Sequence, residues 1–373
     1  MSQLPTTEDE ILATGVINSE FEKAVKAKQM PPGSFYTIKI LKEITEASLP
    51  WTQKKLQQNR PFNLTEYERL VALDNGHRSR LLFCHRKDIQ PTAKCPLIVL
   101  MHGGGHCVGN PESEIPLARR LALDHNAIVV LPSYRLAPEH PFPASVVDCW
   151  AIVKYLAAEW LHPRTPQSPF LPPQCDLSYG FIVAGSSAGA NLAASVAHLA
   201  RDQKLNPPLT GQMLMAGTFI SYMHVPKRYQ PYYLSREQNR DAPLLDLDMC
   251  DIFQDAFQPD YQSPLWALFD QHHPLDQNLN DPSDPAVKHG HMGLPPAYFQ
   301  ICGLDVSRDD SLIYERVLRE ECDVTTRADL YSGYAHTWWT MFPELKASRK
   351  REDDAAAGVG WLLGLQQSHS QSK

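Results

Sequence analysis

The chain has 373 residues, of which 43% are hydrophobic and 21% charged, with a formal net charge of −7. That balance is the one of a globular protein, and the acidic excess without a long basic run argues against non-specific nucleic-acid binding, which needs clustered Lys and Arg. No apolar stretch is long enough to span a membrane, the acidic N-terminus lacks the apolar core of a secretory signal, and eight scattered cysteines without CxxC spacing read as reduced thiols, so a cytoplasmic location is expected.

Residues 1–60 carry two helical patterns, "TTEDEILATGVINSEFEKAVKAK" and "LKEITEASLPWTQKKLQQ", and no strand signal. In "ERLVALDNGHRSRLLFCHR" two short strand patterns flank the turn "DNGHR", which predicts an antiparallel hairpin. From residue 95 onward, strand and helix patterns alternate. "CPLIVLMHGGG" is a continuous apolar run ending in glycines, as a buried parallel strand reads. "SEIPLARRLALDH" has helical spacing, "NAIVVLPSYR" is a second buried strand and "ASVVDCWAIVKYLAAEWL" a helix. After the proline-rich loop "HPRTPQSPFLPPQ" come the strand "GFIVAGS", the helix "AGANLAASVAHLARDQK" and the strand "GQMLMAGTFIS". Residues 222–275 break the alternation and are rich in Tyr, Phe, Trp, Pro and Asp. The strands "PPAYFQICG" and "TTRADLYSG" follow, with the helix "DDSLIYERVLREEC" between them, and the polar tail "QQSHSQSK" closes the chain. This alternation predicts a mostly parallel sheet covered by helices on both faces. The two irregular regions are expected over one end of that sheet, the aromatic one as the roof of an apolar pocket.

In "GFIVAGSSAGANLAASVAHLA" two serines stand between glycines. Read as G-x-S-x-G, the frame Gly185-Ser186-Ser187-Ala188-Gly189 puts Ser187 at the centre, on a tight turn between a strand and a helix. Such a turn lifts the hydroxyl above the sheet edge and points the Ala188 amide to where an oxyanion would form. "MHGGGHCVGN" follows a buried strand, and a run of glycines lets backbone amides turn inward. No Lys-Ser/Thr pair or GxGxxG pattern makes it a nucleotide site, and His102 reads as a structural group that holds the loop. A serine nucleophile needs a histidine and a carboxylate, in the chain order Ser, Asp/Glu, His on this kind of sheet. "LDVSRDD" offers Asp305, Asp309 and Asp310. Asp305 is favoured because it comes directly after a strand end, whereas Asp309 and Asp310 fall in the next helix's first turn, where acidic residues serve as caps or dipole partners. "YAHTWW" offers His336. A metal site at His289 and His291 lacks further ligands at recognisable spacing, so neither metal nor organic cofactor is expected.

Together these pieces resemble the hormone-sensitive-lipase-like branch of the α/β-hydrolases, the bacterial and fungal carboxylesterase type, over about residues 60–345. Beside the HGGG run and the elbow, "YRLAPEHPFPASVVDC" at 134–149 is similar to that branch's "YRLAPE-x-PFPA" segment, "GLDVSRDDSLIYERVL" to its Asp loop and "GYAHTWW" to its histidine turn. The resemblance implies an α/β-hydrolase fold with a helical cap: residues 1–60 and 222–275 as the cap, 61–221 and 276–373 as the core. It implies Ser187 as nucleophile, Asp305 as orienter, His336 as base, and Gly104, Gly105 and Ala188 as oxyanion donors. Ser186 stands where the family has Asp, Ala190 where it has a second Gly, and Trp338, Trp339 and Phe342 around the histidine turn suggest an aromatic acyl pocket, although such a stripe is more often plain core packing.

A serine carboxylester hydrolase acting on a small hydrophobic ester is therefore expected, in the style of fungal secondary-metabolite esterases. An acyltransferase, lactonase or cyclase would use the same triad. A non-catalytic binder on this fold typically lacks the histidine, which is present here. The acyl and alcohol specificity and a homodimer are left open by the sequence.

Overall fold

Continuous apolar runs become strands that are buried along their whole length. A computed structural model describes residues 4–74, 76–162, 170–266, 268–269 and 290–364. The strands are β1 (Leu64–Ala72), β2 (Arg78–Arg86), β3 (Leu97–Met101), β4 (Ile128–Pro132), β5 (Phe181–Ser186), β6 (Gly211–Met215), β7 (Ala297–Leu304) and β8 (Thr326–Ala335). They form one eight-stranded sheet in the order β1-β2-β4-β3-β5-β6-β7-β8. β1 pairs antiparallel with β2 and β2 with β4, while the pairs from β4 through β3 to β8 are all parallel.

The helices are α1 (Glu8–Thr14), α2 (Ser19–Lys28), α3 (Ile38–Gln58), α4 (Ile115–His125), α5 (Ala144–Leu161), α6 (Ala188–Asp202), α7 (Ser235–Gln238), α8 (Leu247–Phe257), α9 (Arg308–Glu321), α10 (Trp338–Met341) and α11 (Lys346–Leu362). Side chains alternate across the sheet with period two. Leu97, Val99 and Met101 join Val153 and Leu156 of α5 and Val196 of α6 in one cluster. Ile98 and Leu100 join Leu121 of α4 and Val359 of α11 in the other. Helices thus bury both faces, which is what lets the parallel strands be apolar throughout.

The two irregular regions contain α1–α3 and α7–α8. α1 packs on β8, and α3 touches both α8 and the turn Pro111–Glu114. No described helix is long and apolar enough to cross a membrane. All eight cysteines are free of disulfides. The tail from residue 365 and the residues His272, His273 and His289 lie outside the described residues.

Candidate active site

Ser187 joins β5 to α6 at φ 56°, ψ −122°, a left-handed φ that non-glycine residues seldom adopt and that only a well-packed surrounding maintains. The flanking glycines are required by contact. A Cβ at Gly185 would lie 2.1 Å from the Gly189 carbonyl oxygen, and one at Gly189 would lie 2.2 Å from the Met101 oxygen. The Ser187 amide is fixed by the Met215 carbonyl at 2.8 Å.

Asp305 follows the last residue of β7 and His336 the last residue of β8, so parallel pairing brings both to the sheet edge at which β5 delivers Ser187. His336 Nε2 is 2.8 Å from Ser187 Oγ, and His336 Nδ1 is 2.7 Å from Asp305 Oδ2. Asp305 is buried, and its other oxygen accepts the Ser307 amide at 2.9 Å. The three residues singled out in the sequence therefore form one hydrogen-bonded row.

The HGGG loop closes over this row. Gly104 has φ +116° and Gly105 φ +58°; a Cβ would meet the Val108 oxygen at 2.1 Å in the first and the Phe253 ring at 2.4 Å in the second. Among the described residues, the amides of Gly104, Gly105 and Ala188 donate to no other protein group. His102 stays structural: Tyr134 donates its hydroxyl to the His102 carbonyl at 2.7 Å, the His102 ring stacks on Tyr134, and burial lowers the imidazole to about 4. His106 stacks on Phe257 and is lowered by burial to about 3. Both rings are neutral at physiological pH.

A cavity of about 350 Å³ opens above Ser187 and His336. Its apolar wall comes from the aromatic segment: Leu244, Leu245, Phe253, Phe257 and Trp266. Among the described residues, no group of three or more His, Cys, Asp or Glu side chains is placed to hold a metal ion. His291 instead meets His198, with Nδ1 2.9 Å from the His198 Nε2.

The aromatic lining expected around the histidine turn is overturned, and the alternative of core packing holds. Trp338 and Phe342 are fully buried against Phe21, Tyr331 and Tyr334, and the Arg351 guanidinium covers Trp339; none of the three lines the cavity, where Thr337 and Thr340 stand instead. Thr337 is left-handed at φ 44°, and the turn it makes directs the following aromatics into the core. Asp309 and Asp310 stand in the first turn of α9, as expected for partners of the helix dipole, and in addition bind distant chain. Asp309 Oδ2 accepts the Leu234 and Ser235 amides at 2.6 Å each, and Asp310 Oδ1 accepts those of Phe219 and Ile220 at 2.9 and 2.8 Å, so the pair tethers the segment after β6.

Sequence reasoning missed Glu114. It lies 72 positions from Ser186, accepts the Ser186 hydroxyl at 2.5 Å and lines the same cavity. Nothing in the local pattern marks it.

Comparison with known proteins places these features in a lineage. A family model described as the alpha/beta hydrolase fold matches residues 98–340. An AB hydrolase superfamily protein of Schizosaccharomyces pombe is 31% identical over 72% of this chain and 71% of its own length. The carboxylesterase NlhH of Mycobacterium tuberculosis is 34% identical over 60% of each chain. Among solved structures, a vibralactone cyclase superposes with a TM-score of 0.81 at 26% identity, covering 98% of this chain and 99% of that one.

Proposed function

The chain belongs to the α/β-hydrolase fold family and is a hydrolase of the carboxylesterase type, and from that premise we propose that it cleaves small-molecule carboxylic esters with Ser187, His336 and Asp305. Support comes from the row of hydrogen bonds from Asp305 through His336 to Ser187, and from the backbone amides of Gly104, Gly105 and Ala188, which share the cavity and have no protein partner among the described residues.

Asp305 holds the imidazole with its proton on Nδ1, which leaves Nε2 to take the Ser187 proton as Oγ attacks the ester carbonyl. The amides of Gly104, Gly105 and Ala188 receive the negative charge that develops on the carbonyl oxygen. His336 then gives its proton to the leaving alcohol. Water repeats the sequence on the acyl-enzyme and frees Ser187. Residues 1–60 and 222–275 act as the cap: the second supplies the apolar wall, and the first braces it through α3 and α8.

A second reading is favoured by the full-length likeness to a vibralactone cyclase. There the acyl group would pass to a hydroxyl of the same molecule instead of to water, which depends on water exclusion by the cap. A panel of nitrophenyl esters of rising acyl length, with 4- and 5-hydroxyacyl esters among them, run in ¹⁸O-labelled water, tests both. Hydrolysis places one labelled oxygen in the acid product. A lactone or transferred ester without label supports the second reading, and inertness toward every ester overturns the first.

A further inference from the structure

One buried group at the cavity has no part in the proposed chemistry. Glu114 ends the turn Pro111–Glu114 between the glycine loop and α4, and only 7% of its surface is exposed. Its Oε1 accepts the Ser186 hydroxyl at 2.5 Å, while Oε2 has no hydrogen-bond partner among the described residues, and the side chain lines the cavity. Arg351 acts on Glu114 through charge, but its Nε donates to Gln300 Oε1 at 2.7 Å and it makes no hydrogen bond to Glu114 among the described residues. Oε2 is not shut away from the cavity, so it is open to a polar group of whatever enters there.

The pair lies beside the nucleophile. A methyl group built on Gly103 would sit 3.1 Å from Ser187 Cβ and 3.4 Å from Ser186 Oγ. Glu114, bonded to the residue next to Ser187, shares the cavity lining with Ser187, whose apolar wall is Leu244, Leu245, Phe253, Phe257 and Trp266.

We propose that Glu114 is a specificity-determining residue whose Oε2 pairs with a substrate hydroxyl near the ester, so that the preferred substrates are hydroxylated esters with an apolar body. This rests on the esterase reading of the Ser187 site. A hydroxyl is the group that suits either charge state of the carboxyl: it donates to the carboxylate and can accept from the acid. An ammonium suits only the first, and an ether or carbonyl only the second. Ser186 keeps the carboxyl turned toward the cavity by holding Oε1.

The test compares kcat/KM for matched esters on the intact enzyme. Ethyl butyrate against both enantiomers of ethyl 3-hydroxybutyrate places the hydroxyl on the acyl side. Propyl butyrate against glycerol 1-monobutyrate places it on the alcohol side. One hydroxylated partner should be preferred by about tenfold, the worth of a buried hydrogen bond to such a group. Glu114→Leu should bring that ratio to about one, and Glu114→Gln, which keeps an acceptor oxygen, should retain part of it. A ratio near one in both arms, or one unchanged in Glu114→Leu, overturns the assignment and leaves the esterase reading intact. If no ester is cleaved, the esterase reading fails. Equilibrium binding of 2-heptanone against 4-hydroxy-2-heptanone then decides on Glu114 by the same ratio, preference supporting it and parity overturning it.

Discussion

His336 Nε2 lies 2.8 Å from Ser187 Oγ although 149 positions separate the two residues. The same ring presents Nδ1 to Asp305, so one imidazole links hydroxyl and carboxylate across the ends of β5, β7 and β8. Parallel pairing of those strands makes the distance reproducible without any local sequence link.

Asp305→Asn keeps the side-chain shape but offers an amide where the imidazole needs an acceptor. The ring then settles in the tautomer that cannot take the serine proton. Steady-state kinetics should show kcat reduced by about 10⁴-fold with a native circular dichroism spectrum. A variant within about tenfold of the parent would remove Asp305 from the proposed role.

Gly104→Ala would place a Cβ 2.1 Å from the Val108 oxygen at a φ of +116°. The loop must shift, and with it the amides proposed to receive the oxyanion. A fall in kcat of about 10²–10³ is expected, measured on a short-chain nitrophenyl ester, and full activity would contradict the loop's role.

Asp310 gives a pH signature. Burial pushes its carboxyl up to about 7, in spite of the amides of Phe219 and Ile220 and the Tyr233 hydroxyl that bond to it. In the unfolded chain an Asp ionises near 3.9. Between those values the folded protein holds a proton that the unfolded chain has lost, so this group's contribution to stability falls as pH rises from about 4 to 7. Asp310→Asn has no such titration, and its side-chain oxygen can still accept both amides. Thermal denaturation should show its melting temperature, relative to the parent, rising between pH 5 and pH 8. An unchanged difference would contradict the raised carboxyl.

Trp266 closes the apolar wall of the cavity and packs edge-on to Phe257 and His106. Trp266→Ala should open space there and move the preferred acyl or alcohol chain to a longer one across a homologous ester series. An unchanged optimum would place the substrate away from this wall.

Much of the fold was legible because its signals are local. The runs at 97–101, 128–132 and 181–185 are apolar and bounded by turns, and they lie in β3, β4 and β5. The places of Ser187 and Asp305 could be read ahead, Ser187 on a strained turn with small neighbours and Asp305 directly after a strand, and the structure sets both within reach of His336. Sequence reasoning fell short where a distant segment decides a side chain's partner. Asp309 and Asp310 do stand in the first turn of α9, but the amides they bind come from the chain at 219–235, which no local pattern reveals. Trp338 looks like a pocket wall until Thr337 turns it toward Phe21 and Tyr334. Glu114 carries no mark at all, since its meaning comes from Ser186 on another element.

The central claim is that Ser187 is an activated nucleophile. The most direct measurement is reaction with a fluorophosphonate probe, followed by mass spectrometry of the intact chain and of its peptides. The expected result is one phosphonyl adduct per chain on the peptide that contains Ser187, and none in Ser187→Ala, whose esterase rate should fall by about 10⁴-fold or more. An adduct on a different residue, or ester hydrolysis at the parental rate in Ser187→Ala, would contradict it.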